Sequence, residues 1–259
     1  MRAHTVDLGI TVVTVYAFSI ENFKRPQQEV DSLMELAAVK LDELSAKRGF
    51  LERNKIRVQI LGDISLLPER VQRAAARAML VSQHHDRAIL NICLAYTSRQ
   101  EIQSACGEVL KGVRVGKLSR LDLCEDIIDQ SLYTSPYSQV WCMRLHAAHT
   151  TREAVTWLAQ VDLLIRTSGE TRMSDFMLWQ ASLACLSFQH VLWPDFSLSH
   201  LAWSVLTYQR SRSALSSARE RHREAQRRLS SGGGDGASRQ RQQHFVDELR
   251  QDRIRNLHR

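Results

Sequence analysis

Residues 11–18 read TVVTVYAF, a β-branched and aromatic run suited to a buried strand. Pro26 then suits the first turn of a helix, where its missing N–H costs nothing. Val30, Leu33, Met34, Ala37, Leu41 and Leu44 recur at helical spacing and make one apolar face. Lys55–Leu61 predicts a second strand closed by Gly62–Asp63, and Pro68 opens a second helix through Gln83. Ala88–Tyr96 predicts a third strand, after which Ser98 is a candidate N-cap for a helix to Val115. Leu118–Leu132 and Met173–Leu183 are expected to be helical, and Asp162–Ile165 and Cys185–Gln189 to be strands. Strands alternating with helices predict an α/β fold with a mainly parallel sheet flanked by helices. In such sheets ligands bind beyond the carboxyl ends of the strands, so the loops there hold the candidate chemistry.

Two regions break this rhythm. Residues 135–161 carry Trp141, Cys142, His146, His149 and Trp157 with weak periodicity, and the stretch is long for a loop. Beyond Gln209 the chain turns Arg-rich. Ala218–Leu229 reads as a solvated helix, 230–238 as a Gly/Ser linker, and Phe245, Val246, Leu249, Ile254 and Leu257 as a weak amphipathic stripe. The expected division is therefore a domain over 1–209 with an atypical insertion at 135–161, then a helical or disordered basic tail over 210–259.

The chain has 259 residues and a formal net charge of +7. Residues 210–259 hold 13 Arg and 6 acidic side chains, so the whole excess sits in the tail and the rest is neutral. The charge therefore says nothing of a basic active-site cleft. Apolar residues are 44%, enough to bury a core, and no apolar run approaches the roughly 18 residues of a membrane span. The N-terminus lacks a signal-peptide layout. Five cysteines without a CxxC pair argue against a zinc knuckle or disulfide framework and fit a reducing compartment.

The first loop after a strand is Ser19-Ile20-Glu21-Asn22-Phe23-Lys24-Arg25-Pro26. It offers a hydroxyl, an amide and two cations before a helix N-terminus, where anions are favoured. Asn22 could hydrogen-bond a substrate and Arg25 could pair with a phosphate. On this octapeptide alone an ordinary capped loop is the simpler account. The second loop runs from Ile165 to Ser174, with Arg166 and Arg172 flanking Thr167, Ser168 and Gly169. Planar guanidinium groups bind phosphate oxygens in pairs, Gly169 admits close backbone approach, and Ser168 and Ser174 add donors. Glu170 could instead neutralise both arginines, and chemistry alone leaves a diphosphate site and a salt bridge evenly matched. Asp63, Asp175 and Asp195 are expected to cap helices, and Glu101 to sit in a favourable first turn. His84, His85, His146 and His149 lack a metal-ligand framework. No Walker A, GxGxxG or GxSxG sequence occurs.

Taken together, YAFSIENFKRP at 16–26, LGD at 61–63, LNICLAYTSRQEI at 90–102 and DLLIRTSGETRMSDFMLWQ at 162–180 resemble the cis-prenyltransferases, and within them the eukaryotic dehydrodolichyl diphosphate synthase catalytic subunits. The resemblance covers most of 6–134 and 162–210. It implies a parallel sheet flanked by helices around a tunnel for the growing chain. It implies condensation of isopentenyl diphosphate with an allylic, farnesyl-type diphosphate, using Mg²⁺, to give a long cis-polyprenyl diphosphate for dolichol synthesis. By this resemblance Asn22 and Arg25 are catalytic. Ser19, Phe23, Arg166, Arg172 and Ser174 bind substrate, the last three holding isopentenyl diphosphate.

Three departures accompany the resemblance. The family's Mg²⁺-associated Asp-Gly-Asn loop does not occur, so no residue is assigned to metal, and the chain is expected to be N-terminally incomplete by one strand and one helix. The 27 residues from 135 to 161 stand where family members have a handful, as an outward loop or a gene-model artefact. Cys185 stands where many single-subunit members have Glu, and no terminal Arg-x-Gly is present. These last features imply a heteromer with an accessory, Nogo-B-receptor-like subunit. They also imply a peripheral address on the cytoplasmic face of the endoplasmic reticulum membrane. The alternative is a catalytically inactive form that acts as an interaction or dimerisation protein. Nucleic acid is not an expected partner, because no aromatic residues interleave the tail's arginines.

Overall fold

The computed structural model describes residues 9–46, 49–135, 160–230 and 236–257. Two compact units are present, one up to Thr97 and one from Ser98 onward.

In the first unit, β1 (Val12–Ser19), β2 (Ile56–Leu61) and β3 (Ala88–Tyr96) form a parallel sheet in the order β1-β3-β2. Helices α1 (Gln27–Ser45), α2 (Phe50–Asn54) and α3 (Glu69–Ser82) connect the strands. The β-branched run Val12–Val15 suits a pleated ladder, and Pro26 and Pro68 stand at the N-caps of α1 and α3. Helix α1 buries Val30, Met34, Ala38 and Leu41. The centre of its stripe is thus Ala38, while Leu33, Ala37 and Leu44 pack around its rim. Each large buried side chain contributes about 1.5–3 kcal/mol over its exposed state. Helix α3 buries Ala74, Ala75 and Ala78, small residues that let the backbone approach the core closely. At its end the fully buried Ser82 hydroxyl donates to Ala78 O (2.7 Å) and accepts the Val58 N–H (2.9 Å), tying α3 to the central part of β2.

The carboxyl ends of these strands are irregular. Register shifts leave Ala17 unpaired on β1 and Ala95 unpaired on β3, and Ala95 is left-handed at φ 47°. Gly62 follows β2 at φ 135°, and a Cβ there would meet Leu94 O at 2.0 Å. Only glycine fits this crossing. It delivers the Asp63 N–H to Ala95 O at 3.0 Å.

In the second unit, β4 (Leu163–Arg166) and β5 (Cys185–Phe188) pair in parallel. Helices α4 (Ser98–Arg114), α5 (Glu125–Ser131), α6 (Leu198–Ser230) and α7 (Gly236–Leu257) complete it. The α/β architecture with parallel strands is the expected one. Local differences have identifiable causes. The expected helix over Leu118–Leu132 is split, because Ser119 and Asp122 form a capping box around a short 3-10 turn and Cys124 is extended. Met173–Leu183 is a run of turns rather than a helix, since Ser174, Asp175 and Met177 are left-handed at φ 49°, 57° and 48°.

The tail is more engaged than a solvated face. Gly236–Ser238, expected as linker, form the first turn of α7, and 231–235 lie outside the described residues. Phe245 and Val246 pack with Val109, Leu118 and Ile127, whereas Ile254 is 45% exposed. Ser238 donates to the buried Asp122 at 2.6 Å, and Arg241 reaches it through Nε and Nη2, both at 2.9 Å. The Arg241 guanidinium is the largest cause holding the Asp122 carboxyl well below the usual range. Arg253 donates to Ser131 O and Leu132 O, capping the end of α5. Arg219 on α6 grips Asp162, Val161 O and Leu183 O around the start of β4. Three tail arginines thus satisfy backbone carbonyls and carboxylates of the fold.

The insertion expected at 135–161 lies outside the described residues over 136–159, with Cys142, His146 and His149. Both of its flanks are anchored. The Thr134 N–H and hydroxyl donate to Glu101 at 2.8 and 2.9 Å, and the Val161 N–H donates to Gln180 O at 3.0 Å. No helix among the described residues is long and apolar enough to cross a membrane.

Candidate functional site

In the first unit the loop after β1 is a 3-10 turn, Ile20–Lys24, closed by a capping box. The Glu21 N–H donates to Ser19 Oγ at 3.1 Å, and the Ser19 N–H donates to Asn22 Oδ1 at 2.9 Å. That second bond fixes the Asn22 carboxamide. Its oxygen accepts from Ser19, and its NH₂ group is the donor end of the amide. Phe23 leans on Phe18, ring centroids 4.9 Å apart, and so anchors the turn to the core. Arg25 is half exposed and paired with Glu29 at 2.6 Å. The loop is therefore a capped turn, the simpler account, and it also presents an amide donor and a cation at a strand's carboxyl end. An exposed ion pair is worth about 0–1 kcal/mol, so Glu29 is a weak competitor for a doubly charged ligand.

In the second unit the loop after β4 is stitched to the chain beyond β5. Gln189 N donates to Arg166 O at 2.8 Å, Gly169 N to Gln189 O at 2.9 Å and Ser168 N to Val191 O at 2.8 Å. Ser168 and Gly169 are left-handed at φ 69° and 68°, which turns the chain back after Arg166. The Arg166 side chain is part-buried and its Nη2 donates to Ser174 Oγ at 3.3 Å. Its Nε is buried with no hydrogen-bond partner among the described residues. Arg172 is mostly exposed and pairs with Glu170 at 3.2 Å. Glu170 therefore takes Arg172 and not Arg166, which settles how that carboxylate divides itself. A buried guanidinium N–H without an acceptor is a costly vacancy, and a phosphate oxygen is a suitable acceptor.

The other singled-out residues are structural. Asp63 accepts from Ser65 N and caps a short turn. Asp175 caps α4, not its own segment. Asp195 closes the 3-10 turn Trp193–Asp195. Ser98 does not cap α4; its hydroxyl accepts the Leu178 N–H at 3.1 Å. His85 is buried, its ring nitrogens against Ile56 O (2.9 Å) and Glu52 (3.0 Å). Glu101 is more than a first-turn acid. It is fully buried and binds Thr134 and Gln180, the latter at 2.9 Å. No local pattern could reveal that role, since the partners lie 33 and 79 positions away. Among the described residues no group of three or more His, Cys, Asp or Glu side chains could hold a metal ion. These side chains do not form a cage for Mg²⁺.

The prenyltransferase family model described as undecaprenyl diphosphate synthase matches residues 1–215. The dehydrodolichyl diphosphate synthase complex subunits of Mus musculus and Homo sapiens are each 41% identical over 223 residues, covering 86% of this chain and 61% of theirs. The chain thus spans about three-fifths of the length of these relatives. The crystal structure of lavandulyl diphosphate synthase from Lavandula x intermedia, in complex with dimethylallyl diphosphate, superposes with a TM-score of 0.68 at 29% identity. That similarity covers 80% of this chain and 79% of the other. Parallel strands, loops with donors and cations at their carboxyl ends, and these similarities agree: the chain belongs to the cis-prenyltransferase family of undecaprenyl and dehydrodolichyl diphosphate synthases.

Proposed function

We propose that the chain is a prenyl-transferring subunit that condenses isopentenyl diphosphate with an allylic, farnesyl-type diphosphate to build a long polyprenyl diphosphate of the dehydrodolichyl type. The observation that carries this is Arg166, whose buried Nε has no partner among the described residues while Nη2 rests on Ser174. In this reading Arg166, Arg172 and Ser174 bind the isopentenyl diphosphate. Arg172 exchanges Glu170 for phosphate oxygens, a cheap exchange for an exposed pair. Asn22 offers its NH₂ group and Arg25 its guanidinium to a diphosphate near the reacting carbons. Donors held in place before the reaction stabilise charge as it develops on the leaving diphosphate. Ser19 fixes the turn through its cap, and Phe23 holds it against Phe18. The C–O bond of the allylic diphosphate breaks and inorganic diphosphate leaves with its electron pair. A C–C bond forms to isopentenyl diphosphate, and the proton that the isopentenyl carbon gives up passes to the released diphosphate or to water. Mg²⁺ belongs to this reading as a companion of the substrate diphosphates, whose charge it would help neutralise.

The partner is an accessory subunit of the Nogo-B-receptor type, and the complex sits peripherally on the endoplasmic reticulum membrane. Names of relatives as complex subunits support a partner. So do exposed Phe188, Trp193 and Trp203 in the second unit, since aromatic residues are enriched at interfaces. The test is incorporation of labelled isopentenyl diphosphate into lipid by the full chain with farnesyl diphosphate, Mg²⁺ and a matching accessory subunit. Label is expected in the lipid phase, with a loss of about 10- to 100-fold in its incorporation at low isopentenyl diphosphate for Arg166→Ala, the order of one lost charge-assisted hydrogen bond. Absence of any affinity for isopentenyl diphosphate, unchanged by that substitution, would sink the proposal. Co-purification with the subunit without product would favour a purely interacting role.

A further inference from the structure

Ser174 reaches Arg166 from a backbone conformation that its own residue type disfavours. Ser174, Asp175 and Met177 all carry a Cβ, and all three have positive φ. Left-handed residues in such density persist only where neighbouring structure imposes them. Here the imposing structure is the first turn of α4. Ser98 N donates to Asp175 O at 2.8 Å, and Leu178 N donates to Ser98 Oγ at 3.1 Å. The Asp175 carboxylate accepts twice from one residue, from Arg99 N at 3.1 Å and from Arg99 Nε at 2.8 Å. Asp175 is only 13% exposed, whereas Arg99 is 75% exposed. A carboxylate so placed caps the Arg99 N–H in the first turn of α4 and draws favourable interaction from the positive end of the helix. Three of these four bonds are made by Asp175 itself and the fourth by Leu178, so the turn is held at Asp175 and three residues beyond it.

We propose that Asp175, gripped by Ser98 and Arg99, is a positioning residue that sets Ser174 beside Arg166 for diphosphate binding. The inference rests on the assignment of Arg166, Arg172 and Ser174 to a diphosphate site. Asp175 touches no substrate in this account; its whole effect passes through Ser174. Without the bolt the turn relaxes to right-handed conformations, and the Ser174 hydroxyl leaves Arg166.

The test is a double-substitution cycle on the full chain, read by calorimetric titration with inorganic diphosphate and with isopentenyl diphosphate. Ser174→Ala and Asp175→Ala are each expected to weaken binding about tenfold, the order of one charge-assisted hydrogen bond. The double variant is expected to bind within about twofold of Ser174→Ala alone, because coupled residues do not add. A merely structural Asp175 would instead give losses that multiply, and that result overturns the inference. Should Asp175→Ala fail to fold, Asp175→Asn carries the same cycle. Its Oδ1 still caps Arg99 N but it refuses Arg99 Nε, so a loss of about threefold is expected, absent again in the Ser174→Ala background. Tight binding by the wild type that Ser174→Ala weakens and neither Asp175 variant changes also overturns it. Failure of the wild type to bind either diphosphate overturns the site assignment and this inference together.

Discussion

Replacing Asp129 by Asn separates the cost of a part-buried charge from the hydrogen bond that charge receives. Asp129 lies on α5, and Trp179 Nε1 donates to its Oδ1 at 3.1 Å. Burial pushes its carboxyl up from 3.8 to about 6, the Trp179 bond opposes the rise, and the carboxylates of Asp126, Glu125 and Glu101 reinforce it. A raised carboxyl means that between about pH 4 and 6 the folded protein binds more protons here than the unfolded chain. Stability therefore falls as pH climbs through that window, and above it the ionised group burdens the fold. The rise from 3.8 to about 6 corresponds to about 3 kcal/mol at 1.36 kcal/mol per unit. Some solvent reaches the group, so about 1–3 kcal/mol is the expected range. Asn keeps an acceptor for Trp179 and cannot ionise. Urea unfolding of the full chain across this range, followed by tryptophan fluorescence, is the assay. The variant should gain about 1–3 kcal/mol over wild type near pH 7.5 and nothing near pH 4. A difference independent of pH, or a less stable variant at the upper pH, refutes the reasoning.

Asp122→Ala is expected to cost about 1–3 kcal/mol, because it removes the fully buried acceptor of the buried Ser238 hydroxyl and of the part-exposed Arg241. Its mark would be early proteolytic cutting within 236–257, and equal cutting of both proteins counts against the clasp. The wild-type contribution of this depressed carboxylate is present above the ordinary Asp range and is lost as pH falls through it. Gly62→Ala combines a positive φ with a 2.0 Å clash on Leu94 O, so a loss of about 3 kcal/mol or more in thermal or urea unfolding is expected. A melting temperature within about 2 °C of wild type would show that the β2–β3 crossing tolerates a side chain.

Local pattern was enough for the first unit. Its strands fall where β-branched runs predict them, α1 and α3 begin at Pro26 and Pro68, and α1 turns the expected stripe inward, while the short α2 at Phe50–Asn54 is an element the pattern did not predict. Burial of a periodic apolar face is a local demand, so the residues that meet it can be read along the chain. The donors and cations of the candidate loops stand in the sequence, Asn22 and Arg25 in one and Arg166, Arg172 and Ser174 in the other, while substrate roles for Ser19 and Phe23 come only from the family resemblance. What Glu170 does with two neighbouring arginines was not legible, because an ion pair depends on side-chain directions that sequence spacing leaves open.

The second unit shows where local information ends. Met173–Leu183 has helical composition, yet hydrogen bonds from Ser98 and Arg99, some 76 positions away, hold Asp175 in a left-handed turn. The arginines at 219, 241 and 253 read as a solvated tail, and tertiary contact turns them into clamps on carbonyls and on Asp122. Glu101 reads as a favourable first-turn acid and becomes the buried acceptor for Thr134 and Gln180. The physical reason is common to all three. The sequence determined which segments had to bury apolar faces and which loops carried donors and cations. A polar group's role depends on which distant partner meets it once water is excluded, and only the assembled fold decides that.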